Sequence, residues 1–452
     1  MKVGIDSLSF YIPKIHLPIE TLATNRGIDP SKLIKGLGLQ KMTLLDVYQD
    51  VVTLAANAAY KLLENNSQIK PEDVAKIYVG TESGIDSSKP IASFVLGLLE
   101  QIYGARSFKN CDAVDHTFAC IGAVDAMQNA IDFVKLNPTK KAIVIATDYA
   151  KYDLNSTGEY TQGAGAIALL ITANPRILAF ESKTGVATES VFDFFKPRHV
   201  IQKQTVTGTT ANEDWNGVLE SEITIYKEQP VFDGQYSNEC YINRITEAYQ
   251  NFKTENGIKN EKVYNNWKAI LMHLPYCYQG RRTFYEIVLN ENPELVNKNA
   301  DDAKEQIKAF AKSDLFMDIV KNKITPSEIA SGQVGNIYTG SIFLALVSTL
   351  AYFAENKENI TGETFGFIAY GSGAKSKVFE GIIQSDWQDA LPKQSIFDAL
   401  NTSTAIDFET YERLHKKEIK TAVLTPKNEF VLDYIETENP NLKGARYYKF
   451  EI

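Results

Sequence analysis

Three short stretches of the chain carry side chains able to do covalent chemistry. Residues 116–123 read HTFACIGA, with Cys120 among small residues where a helical pattern begins. A thiol at a helix start feels free backbone N–H groups and the positive end of the macrodipole, and both favour the nucleophilic thiolate. Ala119 and Gly122 would leave room for a substrate. The plainer reading is a buried packing cysteine. Residues 80–84, GTESG, put Glu82 directly after the strand-like KIYVG. Ligand sites of parallel α/β sheets open at the carboxyl ends of strands. A carboxylate there can serve as a base, or can cap a helix. His273 closes the apolar run AILMH and precedes LPYC. A strand-end histidine suits general-acid or polarising duty, or sits half-buried and satisfied. Cysteine plus histidine permits thiol-based nucleophilic catalysis, but spacing does not say that they meet. Cys111, Cys240 and Cys277 make weaker candidates, and the other four histidines lack such a setting.

The elements that must position these groups alternate between two periods. VGIDSLSFYI, KIYVG, AIVIATD (142–148), AGAIALLIT (164–172), WKAILMHLP and FGFIAYG (365–371) read as strands. The continuous β-branched runs among them imply strands buried on both faces. VVTLAANAAYKLLE (51–64), RRTFYEIVL, DDAKEQIKAF and IFLALVSTLAYF (342–353) read as helices. After Cys120, Val124, Met127, Ile131 and Val134 recur at spacings of three and four, which makes one apolar helical stripe. This βαβ rhythm implies a mainly parallel sheet covered by helices. It weakens between about 173 and 265, where QTVTGTTANEDWNGVLE reads as loop or insertion. QGAGAIALLI and YGSGAKSKVF, with first glycines Gly163 and Gly371, are read as opening the last strand of each of two halves and hint at an internal duplication.

Composition bounds the function. The 452 residues are 44% hydrophobic and 23% charged, enough for a large core or two fused halves. A net charge of -9 gives no support to a nucleic-acid or anionic-membrane role. The first residues lack the apolar segment of a signal peptide, and IFLALVSTLAYF is too short to span a bilayer. No CxxC occurs among the four cysteines, so reduced thiols and no metal site are expected. A cytoplasmic enzyme or binding protein follows.

Taken jointly, the motifs resemble the 3-hydroxy-3-methylglutaryl-CoA synthases of the thiolase superfamily. The resemblance runs through GTESGID, ACIGAVDAM, TDYAKYDLNSTGEYTQGAGAIALLI, FDFFKP, PVFDGQYSNECY, HLPYC, GNIYTGS and YGSG, in the family's order. It implies a layered αβαβα fold from two duplicated βα halves, with 1–172 carrying Glu82 and Cys120. Residues 173–385 would form the second half, with an insertion, carrying His273, Asn336 and Ser372, and 386–452 an extension packed on the core. It implies Cys120 as acyl acceptor, Glu82 as the base acting on an acetyl methyl, and His273 as acid and carbonyl polariser. Asn336 and Ser372 match residues holding the acyl thioester, and Tyr152, Thr161 and Ser237 match residues lining the substrate tunnel. It further implies acetyl-CoA and acetoacetyl-CoA as substrates, no cofactor, and a homodimer. Where relatives often carry a lysine for the CoA phosphates, this chain has Tyr278, with Arg281 and Arg282 as candidate replacements. A β-branching synthase acting on carrier-protein-bound chains shares the Glu, Cys and His and stays open. A ketoacyl-carrier-protein synthase III relative lacks the glutamate, so GTESG speaks against it. A non-catalytic acyl-CoA binder is the reading from another class.

Overall fold

The computed structural model describes residues 1–208 and 213–452, so 209–212 of the expected loop region lie outside the described residues. Its backbone is one mixed sheet of ten strands. On one side Val74–Gly80 runs parallel to both Asp112–His116 and Lys141–Ala150, and the latter pairs antiparallel with Gly163–Ala173. On the other side Trp267–Met272 runs parallel to Thr364–Gly371, which pairs antiparallel with Lys375–Ile383. The parallel-pair-then-antiparallel motif thus occurs twice. The short strand Leu178–Ala179 bonds to Val3–Tyr11 and to Lys375–Ile383 and joins the two sides.

Alternation along the strands sorts side chains into layers, because successive residues point to opposite faces. Ile143 and Ile145 pack with the helices Val51–Glu64 and Ile91–Tyr103. Ala142, Val144 and Ala146 face a central layer made of the helices Gly122–Leu136, Thr325–Val334 and Ser341–Glu355. Ala269, Leu271, Phe365 and Phe367 of the second side enter that same central layer. Ile270, Met272 and Ile368 point the other way, to the helix Gly234–Glu255 and its neighbours. The order is therefore α, β, α, β, α, as the resemblance implied. The apolar stretch Tyr338–Glu355 is long enough by composition to cross a bilayer, but 78% of it is buried inside the fold.

The region 173–265, where the strand–helix rhythm of the sequence weakens, holds more structure than that rhythm suggested. It contains the 22-residue helix Gly234–Glu255, capped by the Asp233 carboxylate on the Gln235 and Tyr236 amides. Its mean hydropathy is low and its apolar face narrow, so periodicity hid it. The glycine echo is offset: Gly163 opens the strand Gly163–Ala173, whereas Gly371 ends Thr364–Gly371 and the last strand begins at Lys375. Both glycines mark close approach between the sides. A Cβ on Gly163 would lie 2.6 Å from Val334 O and 2.8 Å from Asn336 O; one on Gly371 would lie 2.9 Å from Ile121 N and from Phe118 O. Residues after 385 pack onto both sides: Ile396 and Leu400 of the helix Ile396–Asn401 join the central layer against Thr325–Val334 and Ser341–Glu355, and the segments beyond it meet the first side. The helix Phe408–His415 meets Ile15 and Leu22, and Phe430 of the hairpin strand Glu429–Ile435 is buried against Val51–Glu64.

Candidate active site

Cys120 stands two residues before the helix Gly122–Leu136, in a turn closed by Ile121 N–H donating to Phe118 O at 3.0 Å. Ala119 takes φ 39°, a left-handed conformation that a non-glycine residue holds only where the surroundings enforce it. The helix lies directly on a strand end: a Cβ on Gly80 would come within 2.2 Å of the Ala123 backbone. That strand end delivers Glu82. The Cys120 thiol donates to Glu82 Oε1 at 3.0 Å, and both side chains are buried. Burial and the Glu82 carboxylate push the thiol pKa well above its ordinary value. The resting thiol is therefore the opposite of the easily ionised thiol that a helix-start position suggests, because it is desolvated and faces a neighbouring anion.

Glu82 is held from two sides. Its own N–H donates to Asp148 Oδ1 at 2.9 Å, and the Lys196 ammonium sits 3.2 Å from its Oε2. Asp148, buried at the end of Lys141–Ala150, also accepts from the Thr81 and Ser83 hydroxyls on Oδ1 and from the Thr339 amide and hydroxyl on Oδ2. It thus ties the Glu82 loop to the Asn336–Gly340 loop of the other side. Burial and the Glu82 charge raise its pKa to about 6.

His273 follows Trp267–Met272 on the second side, at the position equivalent to the Glu82 loop on the first. It is 2% exposed, its N–H donates to Ile368 O at 3.1 Å, and Tyr241 OH donates to its carbonyl at 2.7 Å. Its Nδ1 is buried with no hydrogen-bond partner among the described residues. Burial lowers its pKa to about 3, so the ring is neutral at physiological pH.

Of the other expected residues, Tyr152 packs in one cluster with Cys120, Ala150 and Tyr338. Thr161 is joined to Asn336 through backbone, Asn336 N–H donating to Thr161 O at 2.8 Å. Asn336 Oδ1 in turn accepts from Tyr338 N–H at 2.8 Å. Ser237 donates to the buried Asp193, which also accepts from Tyr370 OH and Gly373 N–H, both at 2.7 Å. Ser372 lies beside that network, at the Tyr370 hydroxyl. Arg281 is not available to a ligand: its guanidinium grips the buried Glu328 carboxylate with two nitrogens and stacks 3.8 Å over Tyr278. Arg282 is exposed and donates to Gly36 O at 2.8 Å. Lys196 and Arg198 line a cavity of about 850 Å³ with Glu82, Thr117, Ala119, Phe194 and Tyr226, which opens the site to solvent.

Asp148, Tyr241 and Tyr338 went unassigned from sequence, and Lys196 stood only as a fallback contact for the CoA phosphates. Asp148 could have been found, since it ends the strand AIVIATD as Glu82 follows KIYVG. Lys196 and Asp193 share the FDFFKP motif, but nothing in its spacing reveals their partners.

A buried cysteine touching a carboxylate, with a neutral histidine at the matching strand end of a duplicated αβαβα fold, defines a thiolase-like condensing acyltransferase. The comparisons narrow this class. Residues 1–176 match the family model "Hydroxymethylglutaryl-coenzyme A synthase N terminal" and 222–422 match "Hydroxymethylglutaryl-coenzyme A synthase C terminal". The chain belongs to the hydroxymethylglutaryl-CoA synthase family. It is 32% identical to the hydroxymethylglutaryl-CoA synthase of Enterococcus faecalis over 94% of both chains. It is 30% identical to that of Haloferax volcanii, over 95% of this chain and 96% of the relative. A solved structure of MvaS in complex with 3-hydroxy-3-methylglutaryl coenzyme A superposes with a TM-score of 0.80 at 28% identity, covering 100% of this chain and 99% of the other. The HMG synthase of the curacin biosynthetic pathway, at 22% identity and TM-score 0.78, shares the fold, each chain covered in full.

Proposed function

We propose that the chain condenses acetyl-CoA with acetoacetyl-CoA and water, giving 3-hydroxy-3-methylglutaryl-CoA and CoA through an acetyl thioester on Cys120. The observation that carries this reading is the 3.0 Å contact between the Cys120 thiol and Glu82 Oε1. One carboxylate is thereby placed to act first on the thiol and then on the acetyl group that replaces its proton.

Because the resting thiol is neutral, acylation needs a proton acceptor. Glu82 takes the Sγ proton as the sulfur attacks the thioester carbonyl. The bond to the CoA sulfur breaks, and that sulfur leaves with the proton. Glu82, again a carboxylate, removes a proton from the acetyl methyl, a weak carbon acid whose deprotonation requires close placement of the base. The enolate carbon attacks the ketone of acetoacetyl-CoA. Neutral His273 donates a ring N–H to that ketone oxygen, stabilising the alkoxide as it forms. This modifies the acid role expected for His273: a ring this reluctant to charge polarises rather than carries an extra proton. The proton removed by Glu82 ends on the alkoxide oxygen. Water then cleaves the thioester and restores the thiol.

Asn336, whose Oδ1 is already satisfied by Tyr338 N–H, keeps its NH₂ for a thioester oxygen. Ser372 is read as sharing that task, and Tyr152, Thr161 and Ser237 as walls of the acyl channel. With Arg281 engaged by Glu328, the CoA phosphate reading rests on Arg282. No redox group or metal enters any step. A homodimer and a cytoplasmic location complete the reading; the relative from Rattus norvegicus is named as cytoplasmic. Purified protein supplied with free acetoacetyl-CoA and, separately, with acetoacetyl-carrier protein tests it. Turnover restricted to the carrier-bound acceptor would replace it with the β-branching reading.

A further inference from the structure

We propose that Lys196 is a positioning residue for the carbon–carbon bond-forming step, its ammonium fixing the Glu82 carboxylate so that one oxygen faces the acetyl group. The inference rests on Glu82 being the base. The ammonium lies 3.2 Å from Glu82 Oε2 and 3.4 Å from the Glu82 carbonyl oxygen, so it grips side chain and backbone together. Both side chains are at most one-tenth exposed, 10% for Lys196 and 7% for Glu82. Lys196 is the only cation within ion-pair distance of Glu82 among the described residues. A buried carboxylate without such a partner is driven toward its neutral form, which is useless as a base.

The other groups facing Glu82 make the need sharper. Asp148 adds a second negative charge, and Cys120, Tyr152, Tyr226 and Tyr338, each held in its neutral form by burial, bring no positive charge. The ammonium is fixed in turn by the Tyr338 ring, 4.3 Å below it. Glu82 Oε2 is thereby occupied by the lysine while Oε1 is left to the thiol and, after acylation, to the methyl group.

Lys196 reaches this place from outside the main sheet. It follows Phe194–Phe195, which pairs only with Val231–Phe232 in a two-stranded ribbon. Three residues earlier, Asp193 anchors that ribbon to Tyr370 OH and Gly373 N–H at the strand end of the second side. The ribbon thus spans from the second side's strand end to the base delivered by the first side.

Lys196→Met and Lys196→Arg test the inference, with Glu82→Gln and the double variant Glu82→Gln/Lys196→Met alongside. Thermal unfolding first establishes that each variant is folded. Lys196→Met should acetylate Cys120 stoichiometrically, seen by mass spectrometry, while kcat for condensation falls about 100-fold with KM for acetoacetyl-CoA nearly unchanged. The acid limb of its kcat profile should move up by about one pH unit or more, as follows from removing an opposite charge at this distance. Lys196→Arg should recover most of the rate, and the double variant should be no slower than Glu82→Gln. Condensation by Lys196→Met within threefold of the parent, an unmoved acid limb, or a loss confined to KM would overturn the inference. If Lys196→Met does not fold, the rate of Lys196→Arg decides: a rate more than about 10-fold below the parent overturns it. Normal condensation by Glu82→Gln would instead remove the base assignment itself, whatever Lys196 does.

Discussion

Asp148→Asn should separate the stability of the site from its activity. Asp148 accepts three hydrogen bonds on Oδ1, at 3.0 Å from Thr81, 2.9 Å from Glu82 and 2.8 Å from Ser83. Oδ2 accepts from the Thr339 amide at 3.0 Å and from the Thr339 hydroxyl. Asparagine retains one acceptor oxygen. With that oxygen kept toward the Glu82 loop, its NH₂ confronts the Thr339 amide, donor against donor. The Thr339 hydroxyl can adapt, because it already donates to Gly80 O at 2.9 Å and can accept from the new NH₂. One buried amide left unsatisfied costs about 1–3 kcal/mol. Against this stands the charge. The Asp148 pKa is raised from 3.8 to about 6, chiefly by burial and then by Glu82. That rise means the ionised form is disfavoured in the fold by about 3 kcal/mol. The sign is that of proton uptake on folding: this contribution is fully present below the unfolded pKa and is lost as pH rises through about 6. At pH 7 the neutral asparagine escapes the penalty, so the two effects nearly cancel. For a chain of this length about 1 kcal/mol corresponds to roughly 1 °C. The variant should therefore melt at pH 7 within about 2 °C of the parent. Its kcat should fall about 100-fold, because the tie between the Glu82 loop and Thr339 is lost and an ångström of misplacement suffices for that. Differential scanning calorimetry and steady-state condensation rates decide it. A melting temperature lower by more than about 5 °C, or a kcat within threefold of the parent, would rule out this role for Asp148.

Other substitutions probe separate parts of the site. Cys120→Ser should fold normally but form no acetyl adduct and no product, since a hydroxyl is far less nucleophilic than a thiol; an adduct mapped to Cys111, Cys240 or Cys277 after mixing with acetyl-CoA would sink the assignment. Arg282→Ala should raise KM for CoA substrates while sparing kcat. Arg281→Ala should instead lower the melting temperature by about 3 °C or more, since it strands the buried Glu328 carboxylate; unchanged stability there would contradict the ion-pair reading. His273 is held neutral, its pKa lowered from 6.5 to about 3 by burial. Its contribution to stability is therefore present above pH 6.5 and lost as pH falls toward 3. Melting temperature should fall less steeply with acidification from pH 6.5 to 4 in His273→Asn than in the parent, and parallel curves would refute that.

The strands and central helices were legible because each fills a buried layer and so writes an unbroken or strictly periodic apolar run, as in AIVIATD and after Cys120. The helix Gly234–Glu255 was not, since much of it is exposed and only Cys240, Tyr241, Arg244, Ile245 and a few others turn inward. Cys120, Glu82 and His273 could be nominated individually from strand-end and helix-start positions. Their grouping needed the resemblance, because contacts between residues 38 positions apart leave no periodic trace. Electrostatics was least legible. The helix-start position of Cys120 suggested an easily ionised thiol, whereas burial and Glu82 make it the reverse. Arg281 read as a phosphate ligand because a sequence does not show that Glu328, on a different helix, already holds it.

One carboxylate, Glu82, is proposed to make the carbon nucleophile from the acetyl group carried by Cys120. Glu82→Gln keeps the shape of the side chain and removes only its basicity and charge. The charge removed is one that raises the thiol pKa, which offsets part of the lost proton acceptor during acylation. The direct measurement follows acetyl-Cys120 by mass spectrometry and 3-hydroxy-3-methylglutaryl-CoA by chromatography in the same reaction. Acetyl-enzyme should accumulate to one per chain, slowed by no more than about 100-fold, while condensation falls by about 10⁴-fold, the upper range for loss of a general base. Product formation at the parental rate, or failure of the variant to acetylate at all, would contradict the account.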